Sequence, residues 1–176
     1  YRFDPIERKS YSKNVDQIIP SPNGKYSAIV IRGEIFVTEN DKEKSKTVNL
    51  TNSPYRDLEP QWVNDSTIVF VSDREGNYDI YAVRSADQSE GDLFKTLKLD
   101  ITKVTNTPEE ESDLVISPDM KTLAFRRGNG LLLTASISDK GFISNEKTIL
   151  DGWAQPYGLA WSPDSRWLAY SLEDLN

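Results

Sequence analysis

Residues 161–171 read WSPDSRWLAYS, and the phrase has three relatives earlier in the chain: IPSPNGKYSAIV from Ile19, QWVNDSTIVFV from Gln61 and VISPDMKTLAF from Val115. Ser-Pro-Asp is the chemistry of a β-turn. Proline pre-sets φ at the second turn position, and serine and aspartate side chains bond the backbone around the corner. Pro22, Pro118 and Pro163 hold that position, followed by Asn23, Asp119 and Asp164. Gly24, Met120 and Ser165 then take the fourth place. The copy at Val63-Asn64-Asp65 lacks the proline and is one residue shorter.

Short β-branched and aromatic runs flank each turn, which predicts a strand on either side. Behind the turns they cover 26–31, 67–71, 123–125 and 167–170. Ala28, Ala124 and Ala169 fall at one place in this pattern and Val69 takes it in the second copy, so a neighbouring sheet is expected to approach closely there.

The residues just before the turns, Pro20, Trp62, Ile116 and Trp161, are spaced by 42, 54 and 45 residues. A repeat of that length with four strands per unit predicts a β-propeller. In the unit from 57 to 106 the strands are expected at 58–63, 67–72, 78–84 and 103–105, with 85–100 as a polar surface excursion. The fold class is all-β: four-stranded antiparallel blades at about 15–52, 57–106 and 112–152, with partial blades at 1–14 and 157–176. Three whole blades and two partial ones suggest a piece of a larger ring; closure of a small ring by shared terminal strands is the other possibility. Unpaired strand edges would also recruit a second copy, so a homo-oligomer is a possible partner state.

Composition narrows the chemistry. The formal net charge of −7 argues against nucleic acid, whose binding rests on neutralised phosphates. No apolar run is long enough for a membrane-spanning helix, and no membrane insertion is expected. With no histidine and no cysteine, the 176 residues cannot supply a Ser-His-Asp triad, thiol catalysis, or a His- or Cys-ligated metal. No cofactor, metal or catalytic residue is expected. The acidic run Glu109-Glu110-Glu111-Ser112-Asp113 reads as a solvated loop. SDREGNYD (72–79) fits no calcium loop and reads as a hairpin with Gly76 in a left-handed turn.

EPQWVNDSTIVFVSD (59–73), SDREGNYDIYAV (72–83) and LAWSPDSRWLAYS (159–171) resemble the blade repeat of TolB-type propellers. RGEIF (32–36) followed by NLTNSP (49–54) makes 19–83 similar to a blade pair of the seven-bladed propeller of tricorn-like proteases. That resemblance implies a part rather than an enzyme. In tricorn-like serine peptidases the catalytic residues lie in later domains, and the propellers gate and channel peptide substrates. No functional residue carries over, because the matched motifs are turns and strands. The partners it implies are peptide substrates or other domains of the same protein. A TolB-like interaction propeller with no peptidase attached is the alternative. On the peptidase reading the candidate substrate-binding residues lie on loops at the channel mouth: Arg56, Asp57, Arg126, Arg127, Gln155 and Tyr157.

Overall fold

The computed structural model describes residues 15–43 and 46–172; the partial blade expected at 1–14 lies outside them. Among the described residues fourteen strands form three four-stranded antiparallel sheets and one pair, each a meander in chain order. The first sheet is β1 (Val15–Pro20), β2 (Tyr26–Ile31), β3 (Glu34–Glu39) and β4 (Thr47–Asn49). The second is β5 (Asp57–Asn64), β6 (Thr67–Ser72), β7 (Asp79–Ser85) and β8 (Leu99–Lys103). The third is β9 (Glu111–Ile116), β10 (Thr122–Arg127), β11 (Leu131–Ile137) and β12 (Ile143–Asp151). The pair is β13 (Pro156–Trp161) with β14 (Leu168–Leu172). These are propeller blades, three whole and one half, and among the described residues they do not close into a ring.

The last strand of the second blade sits four residues earlier than expected. Leu99, Ile101 and Lys103 pair along β7, and the N–H groups of Val104 and Thr105 then share the Ile80 carbonyl at 2.8 and 3.3 Å. The Thr105 hydroxyl accepts from Ile80 N–H at 2.8 Å, and Thr51 does the same for Ile35 N–H at 3.1 Å. So Val104-Thr105 and Leu50-Thr51 close the outer strand instead of lying within it.

Each turn phrase folds as its residues dictate. Ser21, Ser117 and Ser162 accept through the backbone carbonyl from Gly24, Met120 and Ser165 N–H, the i→i+3 bond of the turn. Their hydroxyls donate to Asn23, Asp119 and Asp164 and accept from Tyr26, Thr122 and Trp167 N–H. The fourth residue is left-handed in each, with φ of 70° at Gly24 and 60° at Met120 and Ser165. Only the glycine adopts that conformation without steric cost.

The core lies between blades. One apolar cluster joins the first and second sheets, a second joins the second and third. Middle strands are therefore buried on both faces, as in β6, and lose the apolar–polar alternation of a one-sided strand. Register decides which side chains meet. Ile19 pairs with Ala28, Gln61 with Val69 and Val115 with Ala124. The Trp62 indole donates to the Ile19 carbonyl at 3.0 Å, and the Trp161 indole to the Val115 carbonyl at 3.1 Å. Each indole from one blade thus reaches a strand pair of the preceding blade that carries alanine. At the middle seam the incoming residue is Ile116, and the facing position is the larger Val69. Volume is conserved seam by seam, as close packing requires.

The connection between third and fourth strands clamps the preceding blade. The 85–100 excursion is not a free surface loop: Leu93 is buried in the first seam, Phe94 stacks on Tyr26 at 5.3 Å, and Tyr26 donates to Asp92 at 2.7 Å. In the third blade the hairpin at 138–142 plays this part. Asn64 and Thr67 donate to the Asp139 carbonyl at 2.8 and 2.9 Å, Arg84 donates to Lys140, and Gly141 leaves no room for a Cβ against Ala82.

Two outcomes follow from this geometry. Ala28→Val overpacks the first seam at a cost of about 1–3 kcal/mol, and Trp62→Ile costs several kcal/mol alone. Combined, they should recover at least ~1 kcal/mol of the summed loss, since the pair then reproduces Val69/Ile116; a denaturant double-mutant cycle measures this. Met120→Gly should gain up to about 1 kcal/mol and Gly24→Ala lose about 1 kcal/mol in the same assay.

Candidate functional site

The first strands β1, β5, β9 and β13 each have one sheet neighbour, and consecutive ones contact each other. Their other edges form an inner wall. Three of them carry a bulge at one register position. Glu59, Asp113 and Gly158 lie two residues before the partners of Val69, Ala124 and Ala169, and all three are left-handed, with φ of 53°, 56° and 65°. A bulge re-aims its side chain out of the ladder. Glu59 reaches the next blade, where its Oε2 accepts from Leu114 N–H at 3.0 Å, inside the bulge of β9.

Two clefts flank this wall. One, of about 280 Å³, is lined by Leu58, Glu59, Tyr78, Glu110, Ser112, Arg126 and Asn129 among others. The other, of about 290 Å³, is lined by Gln17, Glu59, Gln61, Asp113, Leu114, Val115, Gly158 and Leu159. Glu59 borders both. Burial raises its carboxyl above the ordinary value, and the neighbouring Asp113 adds to this; the Leu114 N–H bond and Arg126 oppose it.

The expected binding residues divide by environment. Asp57 is fully buried: it accepts from Ser53 at 2.8 Å and pairs with Arg74 at 2.8 Å. Arg127 is held by Glu111 at 2.8 Å and Glu146 at 3.0 Å. Glu111 is the counterpart of Asp57, fully buried and bonded to the hydroxyls of Thr105 and Thr107 at 2.7 and 2.8 Å. The acidic run is therefore not uniformly solvated: Glu109 and Glu110 are exposed, Ser112 and Asp113 half-buried and Glu111 buried. Arg126 sits in the first cleft, paired with Asp113 at 2.9 Å and donating to Ser112 at 2.8 Å, with the Gln155 amide against its guanidinium. Arg56 and Tyr157 are exposed. The structure thus brings Arg126 and Gln155 together, adds Glu59 and Asp113, and places Asp57 and Arg127 in buried ion pairs.

Among the described residues no group of three or more acidic side chains is arranged to hold a metal ion. In SDREGNYD, Gly76 is left-handed at φ 106° and donates to the Asp73 carbonyl, so the segment is a hairpin turn. Asp79 is buried beside the Lys103 ammonium at 2.9 Å.

No protein-family model matches the sequence, and no curated protein does so. Solved structures do match in fold. Tricorn protease aligns over 94% of this chain and 15% of its own, with 12% identity and a TM-score of 0.64. The β-propeller domain of Myceliophteria thermophila Cps50 (Swd1) aligns over 94% of this chain and 51% of its own, with 14% identity and a TM-score of 0.63. A putative TolB from Agrobacterium tumefaciens aligns over 89% of this chain and 69% of its own, with 14% identity and a TM-score of 0.51.

The pH dependence of the Glu59 tie has a defined sign. A carboxyl whose folded pKa is raised disfavours the folded state above its unfolded pKa, fully so above the folded one. Glu59→Gln keeps an acceptor for Leu114 N–H and should leave stability at neutral pH equal or higher. Its advantage over the native chain should shrink as pH falls from the raised folded pKa of Glu59 toward the ordinary carboxyl value and vanish below it, read by urea melts across pH.

The described residues, three whole blades and a half, have the β-propeller fold of the tricorn protease and TolB structures.

Proposed function

We propose that the chain is a non-catalytic propeller segment of a tricorn-like serine peptidase, gating or channelling peptides toward a catalytic core outside these residues. The observation that carries this reading is the inner wall. Its strand edges are open, its bulges present Glu59 and Asp113, and Arg126 and Gln155 stand beside them. An extended peptide passing such a wall meets unpaired backbone groups and fixed polar side chains, which orient it without chemistry. Arg126, and the exposed Arg56 and Tyr157 at the rim, are the groups suited to a peptide's carboxylate and side chains. The 176 residues contain no histidine or cysteine to act as base or thiol nucleophile.

The likeness to TolB supports a second reading, a docking propeller with no peptidase attached. One assay separates them. In the full polypeptide that carries this segment, Arg56→Glu should change kcat/KM severalfold for a long oligopeptide and leave a short fluorogenic substrate unaffected. The 176-residue chain alone should turn over neither. Equal loss on both substrates, or turnover by the 176 residues themselves, overturns the gating reading; a polypeptide with no peptidase activity that retains a protein partner favours docking.

A further inference from the structure

Two Asn-Gly pairs occur in the sequence, Asn23-Gly24 in the first turn phrase and Asn129-Gly130 in the hairpin between β10 and β11. Glycine after asparagine leaves the following backbone nitrogen open to the asparagine side chain, because no Cβ stands in the way. Both asparagines are exposed, so solvent access does not tell the pairs apart. Hydrogen bonding does. The Asn23 Oδ1 accepts from the Ser21 hydroxyl at 3.0 Å and from Lys25 N–H at 2.9 Å, and Gly24 N–H donates to the Ser21 carbonyl at 2.9 Å. Nucleophile and target are both occupied there. At the second pair, among the described residues, neither the Asn129 side-chain amide nor the Gly130 N–H has a hydrogen-bond partner. Gly130 is held by its carbonyl instead, which accepts from Gly152 N–H at 3.2 Å. Packing also requires a glycine at this position, since a Cβ would collide with the Gly152 carbonyl.

We propose that Asn129 is a site of spontaneous deamidation, and that the turn around Asn23 protects that residue from the same reaction. The co-reactants are water and hydroxide. Hydroxide takes the Gly130 amide proton, and the nitrogen attacks Asn129 Cγ. The Gly130 N–Cγ bond forms, the Cγ–Nδ2 bond breaks, and ammonia leaves with a proton from water, which restores the hydroxide. The five-membered succinimide then takes up one water. Opening at Cγ gives aspartate, and opening at the main-chain carbonyl gives an isoaspartyl link; nothing is oxidised or reduced. Asn129 lines the first cleft with Glu59, Glu110 and Arg126, so either product puts a further carboxylate there. The isoaspartyl product also lengthens the backbone just ahead of Gly130, whose carbonyl ties the hairpin to the loop that sets Gln155 against Arg126. The proposal rests on the hairpin alone and stands whether or not the wall gates peptides.

The test is incubation of the folded chain at mildly alkaline pH in oxygen-18 water, followed by peptide mapping with mass spectrometry. Each opened ring carries one labelled oxygen, so conversion is read site by site. Asn129 should convert about tenfold faster than Asn23, the factor that a barrier difference of ~1.4 kcal/mol gives. In denaturant the two rates should converge, because the pairs then differ in nothing but their neighbours. Asn129→Gln needs a larger ring and should abolish labelling at that position. Ser21→Ala removes one bond from the Asn23 side chain and should speed conversion there; if S21A does not fold by circular dichroism, the comparison of folded with denatured wild type carries the test. Equal rates at the two sites in the folded chain, or an Asn129 that stays intact while the denatured chain converts, overturns the proposal.

Discussion

The Trp62 indole, seated against Ile19 and Ala28 of the preceding sheet, holds the architecture together. A single four-stranded sheet of this length exposes two apolar faces and cannot bury either alone. Stacking blade on blade buries both, which is why the core consists of seams and why the middle strands read as continuous apolar runs. The indole contributes area and one directed bond to a backbone carbonyl. That bond fixes how far the next blade slides along the first, and so the positions of everything on the inner wall.

Other links between blades back up this contact, and each uses a different part of the repeat. Turn meets turn where Asn23 N–H donates to Asp65 and Asp119 N–H donates to Ser165, both at 3.0 Å. The clamps at 85–100 and 138–142 hold the outer rim. Where the indole is missing, at the second seam, the Glu59 carboxylate bonds the next blade's bulge directly. The same residue therefore sets blade spacing and borders both clefts, so wall chemistry and wall geometry are coupled. Buried ion pairs at Asp57–Arg74 and Glu111–Arg127 fix where each blade begins. Removing one partner of either pair leaves an uncompensated buried charge, which is costly.

Much of this was legible in the residues. The turn phrase and its spacing were enough to read a propeller of four-stranded blades, because proline and small polar side chains act locally. The features that escaped are those set by a neighbouring blade. Leu93 and Phe94 sit in a polar stretch and gave the only sign that 85–100 folds back as a clamp. Glu111 looked like one of several loop acids; its signal was the echo between Ser53-Pro54 with Asp57 and Thr107-Pro108 with Glu111. The left-handed bulges were invisible at Glu59 and Asp113, and Gly158 was the one hint. The outer strand was misplaced because Leu99 and Ile101 alternate as well as Val104 does.

Native-state hydrogen exchange on Trp62→Phe tests the seam account most directly. If the seam is the cooperative unit, removing the indole N–H lowers protection of β2 and β5–β6 amides together and by the same amount, although β2 is in another sheet. Loss confined to β5 and β6, with β2 unchanged, would mean that each sheet is stable by itself and would contradict the account.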